Sequence, residues 1–231
     1  MGNHACLPTD CASGWFWNAN PDETPEVFRE RYMLRPVRLP LPPLLLEVLK
    51  SNGSEASDQA FVRNRRALRH FLHSTSQGRN LLGEAVYYFE KDPQECVTRV
   101  FVHWELGRRL EGPPDKCHGG LLAALLDDAC GAFTNTYLRS RGRHGSAMTA
   151  YLKVDYKAPT TIPGQAVCMM SLDDRSEGRK VFVKGRLLAQ KPDGLLCTNC
   201  EAEALFVELK QPFSGKRAPE DCPTTQQTLA K

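Results

Sequence analysis

The fold is decided by residues 118–138, which read HGGLLAALLDDACGAFTNTYL. A helix over this stretch is apolar on nearly every side, through residues such as Leu122, Leu126 and Phe133, so it has to be wrapped by other structure. Short runs rich in Val, Tyr and Phe lie on both sides of it, as is typical of β-strands. Strands, one buried helix and then strands again predict an α+β fold, with an antiparallel sheet wrapped around a long central helix.

The strands and turns around this helix can be assigned from the same pattern of residue types. Before it, residues 84–90 and 97–104 predict an antiparallel hairpin with a turn at 91–93. After it, the predicted strands are 146–156, 165–172, 180–190 and 195–209. The turns at 159–164, 173–178 and 191–194 fit hairpins.

The chain divides by composition into three parts. Residues 1–82 form a Pro-rich, partly helical N-terminal extension, residues 83–210 form the main domain, and residues 211–231 are typical of a disordered tail. Within the extension, Pro43 to Lys50 predicts a short helix that packs on the main body or a partner. Residues 58–73 predict a basic amphipathic helix, whose arginines touch an anionic surface or simply face solvent.

Composition and charge exclude several classes of protein. The 231 residues are 41% hydrophobic and 25% charged, and 30 basic against 27 acidic residues argue against a chain built to grip nucleic acid. No apolar run reaches the roughly 20 residues of a membrane span. The nine scattered cysteines indicate reduced thiols, and the Cys197–Cys200 CxxC lies in a strand pattern with its thiols on opposite faces, so no metal site is expected.

The N-terminus carries no secretory or mitochondrial signal pattern, so a cytoplasmic location is expected, with a mitochondrial or membrane-associated location as alternatives. Gly2 is a candidate for myristoylation, with Cys6 or Cys11 as a second acylation site. Cys6 stands where that motif prefers Ser or Thr, which argues against acylation. Association with a membrane is therefore expected only if the N-terminus is acylated.

The helix start at His118-Gly119-Gly120 is a candidate site. Glycines let the backbone approach a ligand, and the N–H groups of a first helical turn can hold an anion or a developing oxyanion. Glycines at a helix start also serve purely conformational needs, and His118 can simply cap the turn.

Asp127 and Asp128 lie in the middle of the apolar helix, where an isolated carboxylate is costly, so one of them is expected to face a cavity. Asp127 lies about 12 Å along the axis from Gly119, too far to reach a carbonyl at its own helix start. Two antiparallel copies of the helix would bring each Asp127 toward the Gly119-Gly120 pair of the other. Alternatively, the carboxylates form salt bridges to Arg139 or Arg143.

These residues resemble a known family. The run 118–127, the segments MTAYL at 148–152 and DYKAP at 155–159, and EGRK at 177–180 are similar to hotdog-fold acyl-CoA thioesterases. The resemblance is to the PaaI-like branch with the thioesterase superfamily member 4 type, within the 4-hydroxybenzoyl-CoA thioesterase superfamily. It covers residues 83–210.

The resemblance implies hydrolysis of a medium- to long-chain fatty acyl-CoA, in a site between two subunits of a homodimer or a dimer of dimers. Asp127 would be the general base or the nucleophile, and Thr149 would help to hold the attacking water. Gly119 and Gly120 would polarise the thioester carbonyl, and His118 would orient that loop. No cofactor is implied, because the coenzyme A thioester is itself the substrate.

For coenzyme A, the resemblance assigns Lys157, Arg179 and Lys180 to nucleotide and phosphate contacts. Asp155 is a further candidate for this site, but it departs from the family, whose members carry Asn nearby. A carboxylate at this position would repel a phosphate. The basic segment 139–144 is a further candidate for the phosphates. Two other functions stay open: a hotdog enoyl-CoA hydratase, and a non-catalytic acyl-CoA-binding or regulatory protein.

Overall fold

The computed structural model describes residues 34–36, 41–54, 60–63, 72, 80–143 and 146–210. The two helices and eight strands of these residues are β1 (Leu34–Pro36), α1 (Pro43–Ser51), β2 (Ala60–Arg63), β3 (Val86–Lys91), β4 (Val97–Leu106), α2 (Gly119–Ser140), β5 (Ala147–Tyr156), β6 (Gly164–Leu172), β7 (Lys180–Gln190) and β8 (Leu196–Glu208). The predicted helices at 43–50 and 119–138 are confirmed, and so are the strands predicted between 84 and 209.

The strands form one antiparallel sheet in the order β1-β2-β3-β4-β6-β7-β8-β5. The hairpins β3–β4, β6–β7 and β7–β8 are confirmed. The prediction of a hairpin at 159–164 is wrong, because β6 pairs with β4 whereas β5 pairs with β8 at the sheet edge. The middle of β6 is buried on both faces and therefore needs a central place in the sheet, whereas most of β5 is exposed or half-buried.

One face of the sheet, the inner face, curls around α2. The core there joins the helix residues Leu125, Leu126 and Phe133 to side chains from β3, β4, β6, β7 and β8, and all three helix residues are fully buried. Burial of an apolar helix by a surrounding sheet is the arrangement that the sequence predicts. The expected hotdog fold, an antiparallel sheet wrapped around a long central helix, is therefore confirmed.

The opposite, outer face is partly covered by α1. Leu45 and Val48 of α1 are fully buried, in a second core with side chains from β3, β4, β6 and β7. The end of α1 is tied to the sheet by two arginines: Arg99 donates to the Asn52 carbonyl at 2.9 Å and Arg186 to its side-chain oxygen at 3.1 Å. Part of the predicted extension thus packs on the main body.

The prediction of a basic helix at 58–73 is wrong at its start. Ala60–Arg63 forms β2 instead, with Phe61 opposite Tyr87 and Val62 opposite Val86 of β3. The free edge of β3 can pair a short apolar segment through main-chain hydrogen bonds, and such pairing overrides a local helical pattern. The later residues of the predicted helix, at 64–71 and 73, lie outside the described residues, as do Gly2, Cys6 and the tail after 210.

The CxxC thiols do not face opposite sides of β8. A bulge leaves Asn199 unpaired, so that Cys200 lies opposite Leu187 and Cys197 opposite Ala189. Leu187 and Ala189 both belong to the inner core, so both cysteines lie on that side.

In the described part of the chain, no helix is long and apolar enough to cross a membrane, and no group of three or more His, Cys, Asp or Glu residues could hold a metal ion.

Candidate active site

His118 caps the start of α2. Its Nδ1 accepts a hydrogen bond from the Gly120 N–H at 3.0 Å, while its carbonyl accepts the N–H groups of Leu121 and Leu122. The capping role considered for His118 is therefore observed. A substrate oxygen that binds the Gly120 N–H has to replace His118 Nδ1 as the acceptor. The His118 side chain is exposed.

The two glycines differ in what surrounds them. A Cβ built at Gly119 would lie 3.5 Å from the ring of Tyr156, an ordinary contact, whereas one at Gly120 would lie 3.1 Å from the His118 imidazole. Tyr156 also donates its hydroxyl to the Gly119 carbonyl at 2.8 Å. The end of β5 is thereby bound to the helix start, and the close approach of His118 is what favours glycine at position 120.

Asp127 and Thr149 meet at the other end of β5. The Thr149 hydroxyl donates to Asp127 Oδ1 at 3.0 Å. Burial raises the pKa of the Asp127 carboxyl above its ordinary value, the Thr149 hydrogen bond opposes that rise, and the neighbouring Asp128 charge adds to it. The two residues to which the family resemblance assigns chemical roles are thus brought together, and a raised pKa favours Asp127 as a base over an exposed aspartate.

Asp128 turns to a different neighbour. Its Oδ2 accepts the hydroxyl of Tyr87 at 3.1 Å, and Tyr87 is fully buried in β3. Within the described residues, the predicted alternative of salt bridges to Arg139 or Arg143 is not observed, because Arg143 pairs with Glu208 and Arg139 lies about 16 Å along the helix axis from Asp128. The two adjacent carboxylates therefore have separate roles, one at Thr149 and one at Tyr87.

A single chain does not bring Asp127 to the helix start. The helix runs unbroken from Gly119 to Ser140, so the separation of about 12 Å stands. The contact of Tyr156 with Gly119 and the contact of Thr149 with Asp127 mark opposite ends of β5. The carboxylate and the candidate oxyanion donors of one chain are thus two half-sites.

The residues assigned to coenzyme A also fall into two groups. Arg179 donates to the Glu208 carbonyl at 3.0 Å, and Lys180 begins β7 beside it. Asp155 and Lys157 lie at the far end of β5 and β8, roughly 23 Å along the strand at seven residues of rise. One chain therefore does not gather these four residues at one nucleotide.

The group at the far end is already paired within the chain. Asp155 contacts Lys153 at 3.2 Å, and Lys157 contacts Glu201 at 2.9 Å, which raises the pKa of the lysine. Asp155 lines a groove of about 470 Å³ on the outer face, away from Asp127. A phosphate at this end would have to compete with Glu201 for Lys157.

Three tyrosines were not singled out from the sequence. Tyr156 binds the Gly119 carbonyl, Tyr87 binds Asp128, and Tyr151 binds Glu203. The alternation of β5 could have indicated Tyr156, because it shares a face with Leu152 and Val154. Tyr151 gave no such signal, since a bulge changes the alternation before it.

The fold and these half-sites define a hotdog protein with a half-buried carboxylate on its central helix. Comparison with known proteins then gives its relatives. The chain is similar to acyl-coenzyme A thioesterase THEM4 of Xenopus laevis, at 40% identity over 115 residues, which are 50% of this chain and 47% of that protein. It is similar to THEM4 of Bos taurus at 32% identity over 128 residues, 55% of this chain and 47% of that protein.

The chain spans about half the length of the curated relatives it matches. Among solved structures, it is similar to the thioesterase superfamily protein RHA08564, with 28% identity, a TM-score of 0.41 and coverage of 54% of this chain and 53% of that one. The Escherichia coli PaaI protein gives 15% identity, a TM-score of 0.41 and coverage of 49% and 75%. No family model matches the chain. The resemblance drawn from the sequence is confirmed by the curated relatives.

Proposed function

We propose that this protein is an acyl-CoA thioesterase that hydrolyses medium- to long-chain fatty acyl-CoA to a free fatty acid and coenzyme A. The observation that carries the proposal is the hydrogen bond that the Thr149 hydroxyl donates to Asp127, a half-buried carboxylate on a mostly apolar helix. Relatives at 32–40% identity, named acyl-coenzyme A thioesterases, support the same activity.

In this mechanism the Asp127 carboxylate takes a proton from water while the water oxygen bonds to the thioester carbonyl carbon. The carbonyl oxygen becomes an oxyanion beside the N–H groups of a helix start. Collapse of the intermediate breaks the carbon–sulfur bond, and the thiolate of coenzyme A leaves with the proton that Asp127 carried. The raised pKa of Asp127 strengthens it as a base. In the second route the Asp127 carboxylate bonds to the carbonyl carbon and the carbon–sulfur bond breaks as the thiolate leaves. Water then hydrolyses the acyl-aspartate anhydride, which frees the fatty acid, restores the carboxylate and supplies the proton for the thiolate.

The two half-sites support a homodimer or a dimer of dimers. The strand β5 is an edge of the described sheet, and it exposes the large side chains of Met148, Tyr151 and Tyr156. Antiparallel pairing of β5 with the β5 of a second copy would set the Thr149 end of one strand beside the Tyr156 end of the other. Each Asp127 would then face the Gly119-Gly120 pair of the second copy, as the helix spacing requires.

The same pairing would also join the two groups of coenzyme A residues. Arg179 and Lys180 lie near the start of β5, and Lys157 lies just past its end, so an antiparallel copy brings one group toward the other. Such a nucleotide site would be lined by basic side chains from both chains.

For the location of the protein in the cell, we propose the cytoplasm.

The first experiment is thiol release from a panel of acyl-CoAs, C2 to C18 and aromatic. We expect turnover by the wild type to fall about 10²- to 10⁴-fold in Asp127→Asn, because the general base is lost. Asp128→Asn is the matched control, since that carboxylate serves Tyr87, and we expect it to keep turnover within several-fold of the wild type.

The panel also tests the other functions. Binding of acyl-CoA without thiol release would contradict the thioesterase and indicate a binding or regulatory protein. Addition of water to an enoyl-CoA without thiol release would indicate a hydratase. The chain length with the highest kcat/KM would identify the substrate class.

A further inference from the structure

Thr149 reaches Asp127 because β5 contains a bulge. Thr149 lies opposite Phe206 and Tyr151 opposite Leu205, so Ala150 has no partner on β8. Two residues apart on a regular strand, Thr149 and Tyr151 would face the same side. Instead Thr149 faces α2, whereas Tyr151 faces the outer side and binds Glu203 there.

The residues after the bulge also show that the alternation of inward and outward side chains shifts by one position. Leu152 and Val154 pack against the inner core, and both have the opposite parity to Thr149. A strand without the bulge could place Leu152 and Val154 inward, or Thr149 inward, but not all three. The bulge is therefore a requirement for the Thr149–Asp127 contact.

Side chains on the outer face hold the residue that follows the bulge. The Tyr151 hydroxyl donates to Glu203 Oε1 at 2.6 Å, and Arg175 contacts Glu203 Oε2 at 3.0 Å. Arg175 also binds Asp173 at 2.9 Å and lies over the ring of Phe182 at 4.8 Å. We call Tyr151, Glu203, Arg175 and Asp173 the outer chain.

The outer chain is anchored at its far end. Asp173 is 3% exposed and is bound by Arg175 and by Lys184 at 3.1 Å. These contacts, with Arg175 first, hold the pKa of the Asp173 carboxyl well below its usual range, so it stays charged and keeps Arg175 in place. Hydrogen bonds thus run from the β6–β7 turn across β8 to β5.

We propose that Tyr151 is a positioning residue: through Glu203 and Arg175 it fixes the bulge, and so holds the Thr149 hydroxyl against Asp127. Bulged residues lose ladder hydrogen bonds, and within one chain β5 pairs with only β8 in the described sheet, so that Ala150 has no register partner there. The cross-strand bond of Tyr151 to Glu203, two residues along β8 from its register partner, supplies restraint at this point. The proposal rests on the function proposed above.

The test is Tyr151→Phe, which removes the hydroxyl and keeps the ring. We expect kcat to fall about 3- to 10-fold, the effect of one hydrogen bond, with KM little changed. The acid limb of kcat/KM should also move to higher pH, as in Thr149→Val, because the hydrogen bond that lowers the pKa of Asp127 is weakened. Glu203→Leu should reproduce both effects, whereas Glu203→Gln, which keeps an acceptor for the Tyr151 hydroxyl, should retain most activity.

Lys91→Met is the control, because it removes an exposed side-chain bond of similar length, to Glu95, on the distant β3–β4 turn. It should change neither kcat nor the acid limb. A Tyr151→Phe protein that melts at a lower temperature but keeps the wild-type pH limb would overturn the proposal and leave Tyr151 a structural residue only.

A titration without substrate separates this proposal from the thioesterase function. Carbon-13 NMR of the Asp127 carboxyl should give a higher pKa in Tyr151→Phe and in Glu203→Leu than in the wild type. That result would support the positioning role even if no acyl-CoA were hydrolysed. An unchanged Asp127 titration in both variants would reject the positioning role even if the wild type were an active thioesterase.

Discussion

The two halves of α2 share one helix but meet different surroundings. From Ala129 to Thr136 every residue is buried, and Phe133 is fully enclosed by the sheet. Between Gly119 and Asp128 only Leu122, Leu125 and Leu126 are buried, and the remaining positions are half-buried or exposed. The second half therefore supplies most of the buried surface of the helix, whereas the first half leaves one face accessible.

One polar side chain from each half can be compared. In the second half, the buried Thr136 hydroxyl is satisfied within the helix, by the Phe133 carbonyl at 2.9 Å. In the first half, Asp127 is bound by a single residue of β5, and its burial raises its pKa. A carboxylate held at this cost is typical of a functional site rather than of a core.

The largest expected effect tests whether the first half is completed by a second copy. Asp127→Asn and Gly120→Val should each lose at least about 100-fold in turnover, the latter because a side chain at 120 displaces His118. Co-expression of the two variants should restore about a quarter of wild-type turnover, because half of a random set of dimers carries one intact site of two. Recovery no greater than either parent would contradict a shared site. Light scattering should show the same oligomer in all samples.

The next effect compares the packing of the two halves. Phe133→Ala should lower the free energy of unfolding by about 3–5 kcal/mol, because it leaves a cavity in a fully buried core. Leu121→Ala, at a half-buried position of the first half, should cost about 1–2 kcal/mol. Urea denaturation measures both. Equal losses would show that the first half is packed as tightly as the second.

The smallest effect concerns the stability cost of Asp127. Because burial raises its pKa in the folded protein, the ionised carboxylate destabilises the fold above that pKa, and the cost disappears below the unfolded value of about 3.9. Asp127→Asn should therefore be more stable than the wild type at neutral pH, with the difference shrinking as the pH falls. Denaturation at several pH values measures it. The exposed Asp174→Asn should stay within about 0.5 kcal/mol of the wild type, and an Asp127→Asn protein less stable at neutral pH would reject the cost.

Much of the main domain could be predicted because its signals are local. The apolar run in α2 and the alternating strands after it gave elements within a few residues of those observed. The connection at 159–164 joins two strands that do not pair with each other, because turn residues mark where a strand ends and not which strand it pairs with. The start of the predicted 58–73 helix became β2 because a free sheet edge was available.

Some residues of the candidate site could also be predicted from the sequence, whereas their contacts could not. Asp127, His118 and Gly120 stood out because charged or flexible residues in an apolar helix need a reason. The partner of Asp128 could not be predicted, because Tyr87 lies 41 residues away in β3. The bulge at Ala150, after which the side chains of β5 exchange faces, could not be predicted either, because the sequence of β5 is typical of a continuous strand.

The sequence by itself determined the central helix, the strand texture around it and the position of Asp127 about 12 Å from the helix start, because helix periodicity and rise are local properties of the chain. Only the tertiary structure decided that β5 lies at the edge beside β8, that its bulge turns Thr149 toward Asp127, and that Tyr151 is held by Glu203 and Arg175. Those contacts join residues distant in sequence, and they form only when the strands pack around α2 and pair in the observed order.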